Sequence, residues 1–369
     1  MIYKKFQDKK ISALGLGAMR FPTVQGDNAK IDEAATAEMI DYAIKNGINY
    51  FDTGWGYHSG QSELVLGKIL KNYPRESFYL ADKFPGYDLS NIDKVEEIFE
   101  KQLEKCQVEY FDFYLFHNVC ELNVDEYLDP AYRIYDYLTE QKRNGRIKHL
   151  GFSAHGTMET IKRFLDAYGK DMEFCQLQIN WLDWSFQSAK EKVELVRSYG
   201  IPVWVMEPVR GGTLANVEFN GCLKGRNAPE IAFRFLQGIE DVVVTLSGMS
   251  NFDQLAQNIK TYETNAPLTR EEEKELLAFA EELTGKSLPC TACRYCTDKC
   301  PKGLDIPYLI SLFNEHTFSG GGFIAPMAFQ KLSEEKKPWA CISCRACEKV
   351  CPQNIKISEV MKNFSEKMR

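Results

Sequence analysis

The chain has 369 residues, of which 44% are hydrophobic and 26% charged, and its net charge is −7. That length exceeds one typical domain, and that composition supports a sizeable core and excludes wholesale disorder. The acidic balance, with no Lys/Arg-rich run, argues against nucleic acid or anionic lipid as a partner. No apolar run is long enough for a membrane span and the opening MIYKKFQDKK lacks the apolar core of a signal peptide, so the expectation is a cytoplasmic protein without membrane contact.

Residues 2–13 read as a short hairpin turning at Asp8-Lys9, of the kind that can plug the bottom of a barrel. From there to residue 265, short runs rich in Val, Ile, Phe and Tyr alternate with longer amphipathic stretches. The runs predict strands over 14–18, 48–52, 78–82, 111–116, 147–152, 174–179, 202–206 and 242–245. The stretches predict helices over 33–45, 92–105, 131–143, 158–165, 189–198, 229–237 and 252–262. Several end in a glycine stop, at Gly47, Gly145 and Gly200.

Strand–helix repetition implies parallel strands joined by right-handed crossovers. Eight strands in about 250 residues fit a closed (β/α)8 TIM barrel better than an open doubly wound sheet. The open sheet would also want a G-x-G-x-x-G turn, and the nearest match, Gly15-Leu16-Gly17, lacks the third glycine. Thr269 with Glu272 three residues on is a capping box, which predicts a helix running to residue 283 and stopped by Thr284-Gly285. The barrel domain is therefore expected over 1–285 and a second domain over 286–369.

That second domain is defined by cysteine. A reducing compartment disfavours structural disulfides, so clustered cysteines there read as metal ligands or redox groups. Cys106, Cys120, Cys175 and Cys222 are scattered and read as small buried apolar residues. The other eight form one pattern written twice: Cys290-x-x-Cys293-x-x-Cys296-x-x-x-Cys300-Pro301, then Cys341-x-x-Cys344-x-x-Cys347-x-x-x-Cys351-Pro352. This is the run of bacterial dicluster ferredoxins, and it predicts two [4Fe-4S] clusters. Three cysteines at intervals of three wrap three corners of a cube, and the fourth completes the other cube. One cluster should use Cys290, Cys293, Cys296 and Cys351, the other Cys341, Cys344, Cys347 and Cys300. Zinc ribbons, which use separated C-x-x-C pairs, fit the doubled pattern and its prolines less well. The long insert between the motifs contains a helix-like stretch over 306–315 and the loop Ser319-Gly320-Gly321-Gly322, so the domain resembles the mainly α-helical ferredoxin type.

The segment Phe51-Asp52-Thr53-Gly54-Trp55-Gly56-Tyr57, continuing through Ser62-Glu63 to Leu66-Gly67, resembles the aldo/keto reductase signature. The resemblance extends from residue 10 to 262 and includes Lys83 at the end of the third strand, His117 at the end of the fourth, and Gly151-Phe152-Ser153. It implies a catalytic tetrad of Tyr57, Lys83, Asp52 and His117. Their predicted positions, at or just after the C-terminal ends of strands, are where barrel enzymes place their chemistry. A lone Tyr, with a pKa near about 10, is a weak proton donor; a Lys ammonium beside it is expected to lower that pKa, and Asp52 to hold the Lys. The resemblance further implies a nicotinamide dinucleotide, with Ser153 and Gln176 at the carboxamide, Asn180 nearby, and Met206 where relatives place an aromatic ring. Gly248, Ser250, Gln254 and Asn258 match the positions that hold the adenosine phosphates. Relatives preferring NADPH often carry Lys at the position of Gly248 and Arg at that of Gln254; both cations are missing here, so NADH is as credible as NADPH.

These observations imply an oxidoreductase that reduces an aldehyde or ketone with hydride from NAD(P)H. A nicotinamide gives two electrons at once, whereas a four-iron cluster passes one, and no flavin motif is present to mediate. The clusters then hold structure, serve a separate partner such as a ferredoxin or flavodoxin, or feed single electrons to the barrel. Two other readings stay open: a nucleotide-binding electron-transfer or redox-sensing subunit with little turnover, and a regulatory adaptor. The pocket walls that can be named are Trp55, Trp181 and Trp184, which leaves the carbonyl substrate unspecified.

Overall fold

The computed structural model describes residues 1–285, 287–290, 296–351 and 353–369; Cys293 and Pro352 of the cysteine motifs lie outside the described residues. The chain divides into two compact units, Met1–Leu277 and Ala278–Arg369.

The first unit opens with the antiparallel hairpin β1 (Tyr3–Phe6) and β2 (Lys9–Ser12). Eight parallel strands follow: β3 (Leu14–Gly17), β4 (Tyr50–Asp52), β5 (Tyr79–Phe84), β6 (Phe111–Val119), β7 (Ile147–Ala154), β8 (Cys175–Gln178), β9 (Val203–Met206) and β10 (Val242–Gly248). They pair in sequence order, and β10 closes the barrel onto β3. The helices are α1 (Glu33–Lys45), α2 (Ser62–Leu70), α3 (Val95–Cys106), α4 (Val124–Leu128), α5 (Ile134–Arg143), α6 (Met158–Tyr168), α7 (Asp183–Phe186), α8 (Ala189–Ser198), α9 (Ala228–Gln237) and α10 (Phe252–Thr261), followed by α11 (Arg270–Thr284). The capping box forms as its residues dictate: the Thr269 N–H donates to Glu272 Oε2 at 2.8 Å and the Glu272 N–H to Thr269 Oγ1 at 3.3 Å.

The two-residue period of a strand decides which side chains enter the barrel. In β5, Tyr79 and Ala81 meet the barrel core, so Lys83 points inward as well. In β6 the same row is Phe113, Leu115 and His117. At the other end, Phe6 of the hairpin packs edge-on to Trp204 (5.0 Å between ring centroids) and tilted on Phe113 (5.7 Å). Burial of that ring, worth about 1.5–3 kcal/mol, closes the bottom. The chemistry is left to the top.

In the second unit, α12 (Ile306–Phe318), α13 (Ile324–Lys331) and α14 (Ile357–Met368) enclose a core of Leu304, Ile306, Leu309, Ile310, Phe329 and Phe364, into which Cys296 and Cys347 are also buried. Of the scattered cysteines, Cys106, Cys120 and Cys175 are buried, but Cys222 is exposed, at a turn where its N–H donates to Glu275 Oε2 at 3.2 Å. No helix among the described residues is long and apolar enough to cross a membrane.

Candidate active site and cluster site

Asp52 ends β4, Lys83 lies in β5 and His117 in β6, and these strands are neighbours. Register puts Asp52 beside Ala81 and Lys83 beside Leu115. The Lys83 ammonium therefore reaches back to Asp52 Oδ1 at 2.7 Å, and it also donates to the Thr53 carbonyl. Lys83 is fully buried and Asp52 nearly so. Tyr57 begins the short 3-10 turn Tyr57–Gly60, and its ring lies 4.9 Å from Lys83 Nζ. The His117 ring stands edge-on to Tyr57 with centroids 6.1 Å apart, and its buried Nδ1 has no hydrogen-bond partner among the described residues. The four tetrad residues are thus brought together.

Their electrostatics follow from burial. Desolvation pushes the Lys83 ammonium down, but Asp52 and Tyr57 outweigh it and its pKa is raised. Burial lifts the Asp52 carboxyl against the pull of Lys83. Burial also raises the Tyr57 phenol, and the opposing Lys83 charge does not overcome it. This corrects the expectation that Lys83 brings the phenol below its ordinary value: in a closed site desolvation is the larger effect, and the phenol keeps its proton. His117 is held well below the usual imidazole range by burial, by Lys83 and by His155, so its ring is neutral at pH 7.

The tetrad has supports that the sequence does not advertise. The Tyr127 hydroxyl donates to the His117 carbonyl at 2.8 Å, and Tyr87 stands edge-on to the His117 ring at 4.9 Å. His58 accepts from the Phe21 N–H at 3.0 Å through Nε2 and bonds the Asn28 carbonyl through Nδ1 at 2.9 Å, which ties the Tyr57 turn to the loop after β3. Ser62 donates to the Ala18 carbonyl at 2.8 Å and bonds Thr53 Oγ1 at 2.9 Å. Ser62 and His58 lay within the signature segment; Tyr87 in a loop and Tyr127 in the short helix α4 carried no motif or periodic signal. Of the expected pocket walls, Trp55 is half-buried under the Lys105 ammonium (3.8 Å to the ring centroid), Trp184 packs edge-on to Phe235, and Trp181 is fully buried.

The expected nucleotide residues fall into three groups. Ser153 and Gln176 are neighbours in register on β7 and β8, both buried. Ser153 Oγ accepts from the Asn118 N–H at 2.7 Å and keeps its own proton to donate. Gln176 Oε1 is buried without a partner among the described residues, and its Nε2 has a long contact with Met206 Sδ at 3.7 Å. An unpaired amide oxygen and a free hydroxyl fit a carboxamide, which offers one donor group and one acceptor. Gly248 and Ser250 are exposed where β10 gives way to α10; the Ser250 N–H donates to Gln254 Oε1 at 2.8 Å, and Asn258 Nδ2 to Ser247 Oγ at 3.2 Å. Asn180 is tied into the fold. Its Nδ2 donates to Asp183 Oδ2 at 2.7 Å and to the Glu207 carbonyl at 3.1 Å, and its Oδ1 accepts from the Asp183 N–H at 2.8 Å. Both amide protons are used inside the fold, in a network that Arg210 completes with bonds to Asp183 at 3.1–3.2 Å, so Asn180 braces the site.

In the second unit, Cys300, Cys341, Cys344 and Cys347 line one cavity together with Leu304, Ile306 and Met361. Cys300 comes from the first motif and the other three from the second. Backbone N–H groups already point at two of these sulfurs, Leu304 to Cys300 at 3.5 Å and Ser343 to Cys341 at 3.4 Å. Burial, then the Cys341 thiol, Glu348 and the Cys300 thiol, push the Cys347 thiol up to about 11. Cysteines of both motifs line this cavity and N–H donors reach two of their sulfurs, a donor set that suits an iron–sulfur cluster; among the described residues no three His, Cys, Asp or Glu side chains already stand grouped to hold a metal ion.

Comparison with known proteins agrees with this geometry. The aldo/keto reductase family model matches residues 13–281, and a 4Fe-4S dicluster domain model matches residues 289–355. The chain therefore belongs to the aldo/keto reductase family, whose members are oxidoreductases, and carries a 4Fe-4S dicluster domain behind its barrel. Among curated relatives, a probable aldo-keto reductase of Glycine max is 30% identical over 59% of this chain and 63% of its own length. An NADH-specific methylglyoxal reductase of Escherichia coli is 26% identical over 56% of this chain and 66% of its own. The chain thus spans just under two thirds of the length of these two relatives. An L-galactose dehydrogenase of Arabidopsis thaliana is 24% identical over 68% of this chain and 84% of its own length. Among solved structures, the holo form of an aldo-keto reductase from Bacillus halodurans superposes with a TM-score of 0.60 at 25% identity, covering 75% of this chain and 96% of that one.

Proposed function

We propose that this protein reduces an aldehyde or ketone to an alcohol with hydride from NAD(P)H, and that its C-terminal unit holds two [4Fe-4S] clusters. The observation that carries the first part is the buried Lys83–Asp52 ion pair at 2.7 Å, with Lys83 Nζ 4.9 Å from the Tyr57 ring. A module that merely binds nucleotide has no use for a buried charge pair aimed at a phenol, because desolvating it costs several kcal/mol.

Ser153, Gln176 and Met206 would hold the nicotinamide end of a coenzyme and Gly248, Ser250, Gln254 and Asn258 its phosphates; the chemistry such a coenzyme would supply is hydride for the carbonyl carbon. The Tyr57 hydroxyl gives its proton to the oxygen as negative charge develops there. Lys83 stabilises the phenolate left behind, and Asp52 keeps Lys83 charged and in place. Neutral His117 orients the carbonyl by donating a hydrogen bond. The names of two relatives, a methylglyoxal reductase and an L-galactose dehydrogenase, describe the two directions of such an exchange.

For the clusters, the ligand sets are Cys290, Cys293, Cys296 and Cys351 for one, and Cys341, Cys344, Cys347 and Cys300 for the other; the cavity that gathers the second set supports the crossing. A four-iron cluster exchanges single electrons, so these centres hold the unit together or serve a separate one-electron carrier such as a ferredoxin or flavodoxin. The test of the barrel reading is Tyr57→Phe, assayed as nucleotide oxidation with a panel of aldehydes and ketones. Turnover should fall about 10²–10⁴-fold while nucleotide binding holds; undiminished turnover would refute the role of Tyr57.

A further inference from the structure

The phosphate end of the nucleotide site lacks the two cations that relatives place there, yet a cation from elsewhere in the chain stands over the same spot. β3 ends at Gly17, and the chain passes through Ala18 and Met19 to Arg20, which is exposed. The stem of Arg20 lies across Gly248, the last residue of β10: a Cβ on Gly248 would stand 3.1, 3.1 and 3.2 Å from Arg20 Cβ, Cγ and Cδ. The guanidinium continues toward the loop after β9, where a Cβ on Gly211 would be 3.2 Å from Arg20 Nη2 and 3.6 Å from Glu207 Oε2. Among the described residues the guanidinium has neither an ion pair nor a hydrogen bond, with Glu207 or with any other group.

Two physical points follow. First, Gly248 and Arg20 are complementary. A longer side chain at 248 would start inside the space that the Arg20 stem fills, so the glycine that removes a cation from β10 makes room for one arriving from β3. Second, a guanidinium with no partner, held extended at the rim, carries five N–H donors in a fork that suits phosphate oxygens. α10 begins just beyond, with the Asn251 side chain capping the Gln254 N–H at 3.0 Å, and the first-turn amides add their own preference for an anion.

We propose that Arg20 is the cation that grips a phosphate of the nicotinamide dinucleotide in this protein, in place of a Lys at 248. The inference rests on the reading of Gly248, Ser250, Gln254 and Asn258 as the nucleotide's phosphate site. The dinucleotide has two kinds of phosphate that this contact could serve, the 2′-phosphate of NADPH and the pyrophosphate common to both coenzymes.

The experiment is calorimetric titration of the full-length, cluster-loaded protein and its Arg20→Gln and Arg20→Ala/Gly248→Lys variants with NADH, NADPH and 2′,5′-ADP. Arg20→Gln keeps most of the stem that packs over Gly248 and removes only the charge. Loss of one charge-assisted contact should weaken binding about 10- to 100-fold and flatten its dependence on salt. Weakening confined to NADPH and 2′,5′-ADP assigns Arg20 to the 2′-phosphate; equal weakening of NADH and NADPH assigns it to the pyrophosphate. In either case the double variant, which returns a cation to the same space, should recover part of the loss. Unchanged binding by Arg20→Gln overturns the inference and leaves the nucleotide site standing. Wild-type protein that binds none of the three overturns the nucleotide reading itself, and this inference with it.

Discussion

The side-chain amide of Gln102 donates to the backbone carbonyl of Lys83 at 3.0 Å, from α3 outside the barrel to the strand that carries the lysine. The same nitrogen donates to Glu63 Oε1 at 3.0 Å, and Gln102 Oε1 accepts from the Tyr114 hydroxyl at 2.5 Å. Glu63 also accepts from Lys105 at 2.7 Å, and Lys105 lies over the Trp55 ring in the loop that leads to Tyr57. One buried network thus holds both Lys83 and the Tyr57 loop from behind. Gln102→Leu strips partners from the Lys83 carbonyl, Glu63 and Tyr114 at once. It should destabilise the protein by about 1–3 kcal/mol, the cost of leaving buried polar groups unsatisfied. It should also lower kcat more than it changes KM. Urea midpoints and steady-state kinetics check both parts, and an unshifted midpoint would show that the network relaxes around the leucine.

Lys83→Met removes one partner of a buried ion pair and leaves Asp52 charged with no counterion. Breaking such a pair costs about 3–5 kcal/mol. Pairing it with Asp52→Asn removes the stranded charge, so the double variant should melt above the single one. Activity should not return with stability, because neither variant stabilises the phenolate of Tyr57. Parallel recovery of melting temperature and turnover would mean that Lys83 acts only through the fold.

The barrel was legible because its cause is local: period-2 apolar runs, and glycine stops whose φ values of +92°, +76° and +73° at Gly47, Gly145 and Gly200 no other residue adopts so cheaply. Helix α2 escaped the periodic reading because Gly67 sits in its middle. Packing requires that glycine, since a Cβ there would lie 2.6 Å from the backbone of Cys106 on α3. α13 and α14 were missed because their apolar stripes read as spacing around the cysteine motifs. The proposed tetrad matches a motif, as does His58, whereas Gln102, Tyr127 and Arg20 match none. Each acts through a residue 10 to 228 positions away in sequence, a relationship that only the closed barrel creates. Asn180 is the opposite case: its type and place suggest a ligand contact, and its side chain bonds locally to Asp183 three residues on.

The pH profile follows from the directions of the shifts. Burial keeps the Tyr57 phenol above its ordinary value despite Lys83, so the proton donor is lost only above pH about 10. His117 is depressed well below its ordinary range, so its protonation belongs below pH about 6.5, and burial takes His155 down to about 4. Turnover measured under saturating nucleotide should therefore be level from about pH 6.5 to 10, with no limb near 7. A fall centred near pH 8 would require a phenol whose pKa is lowered, contrary to the balance of burial and charge found here.

The proposed crossing of the two cysteine motifs has a sharp consequence, because Cys300 lines the same cavity as Cys341, Cys344 and Cys347. If each motif closed its own cube, Cys300→Ala and Cys341→Ala would damage different clusters. With crossing they damage the same one, and Cys351→Ala damages the other. The single variants should each retain about half of the iron. The double variant Cys300→Ala/Cys341→Ala should retain as much as either single, while Cys300→Ala/Cys351→Ala should lose nearly all. Iron analysis and electron paramagnetic resonance of the reduced proteins distinguish the two connectivities. A double variant at 300 and 341 that loses both clusters would show each motif ligating its own iron, since the pair 300 and 351 strikes both clusters under either connectivity.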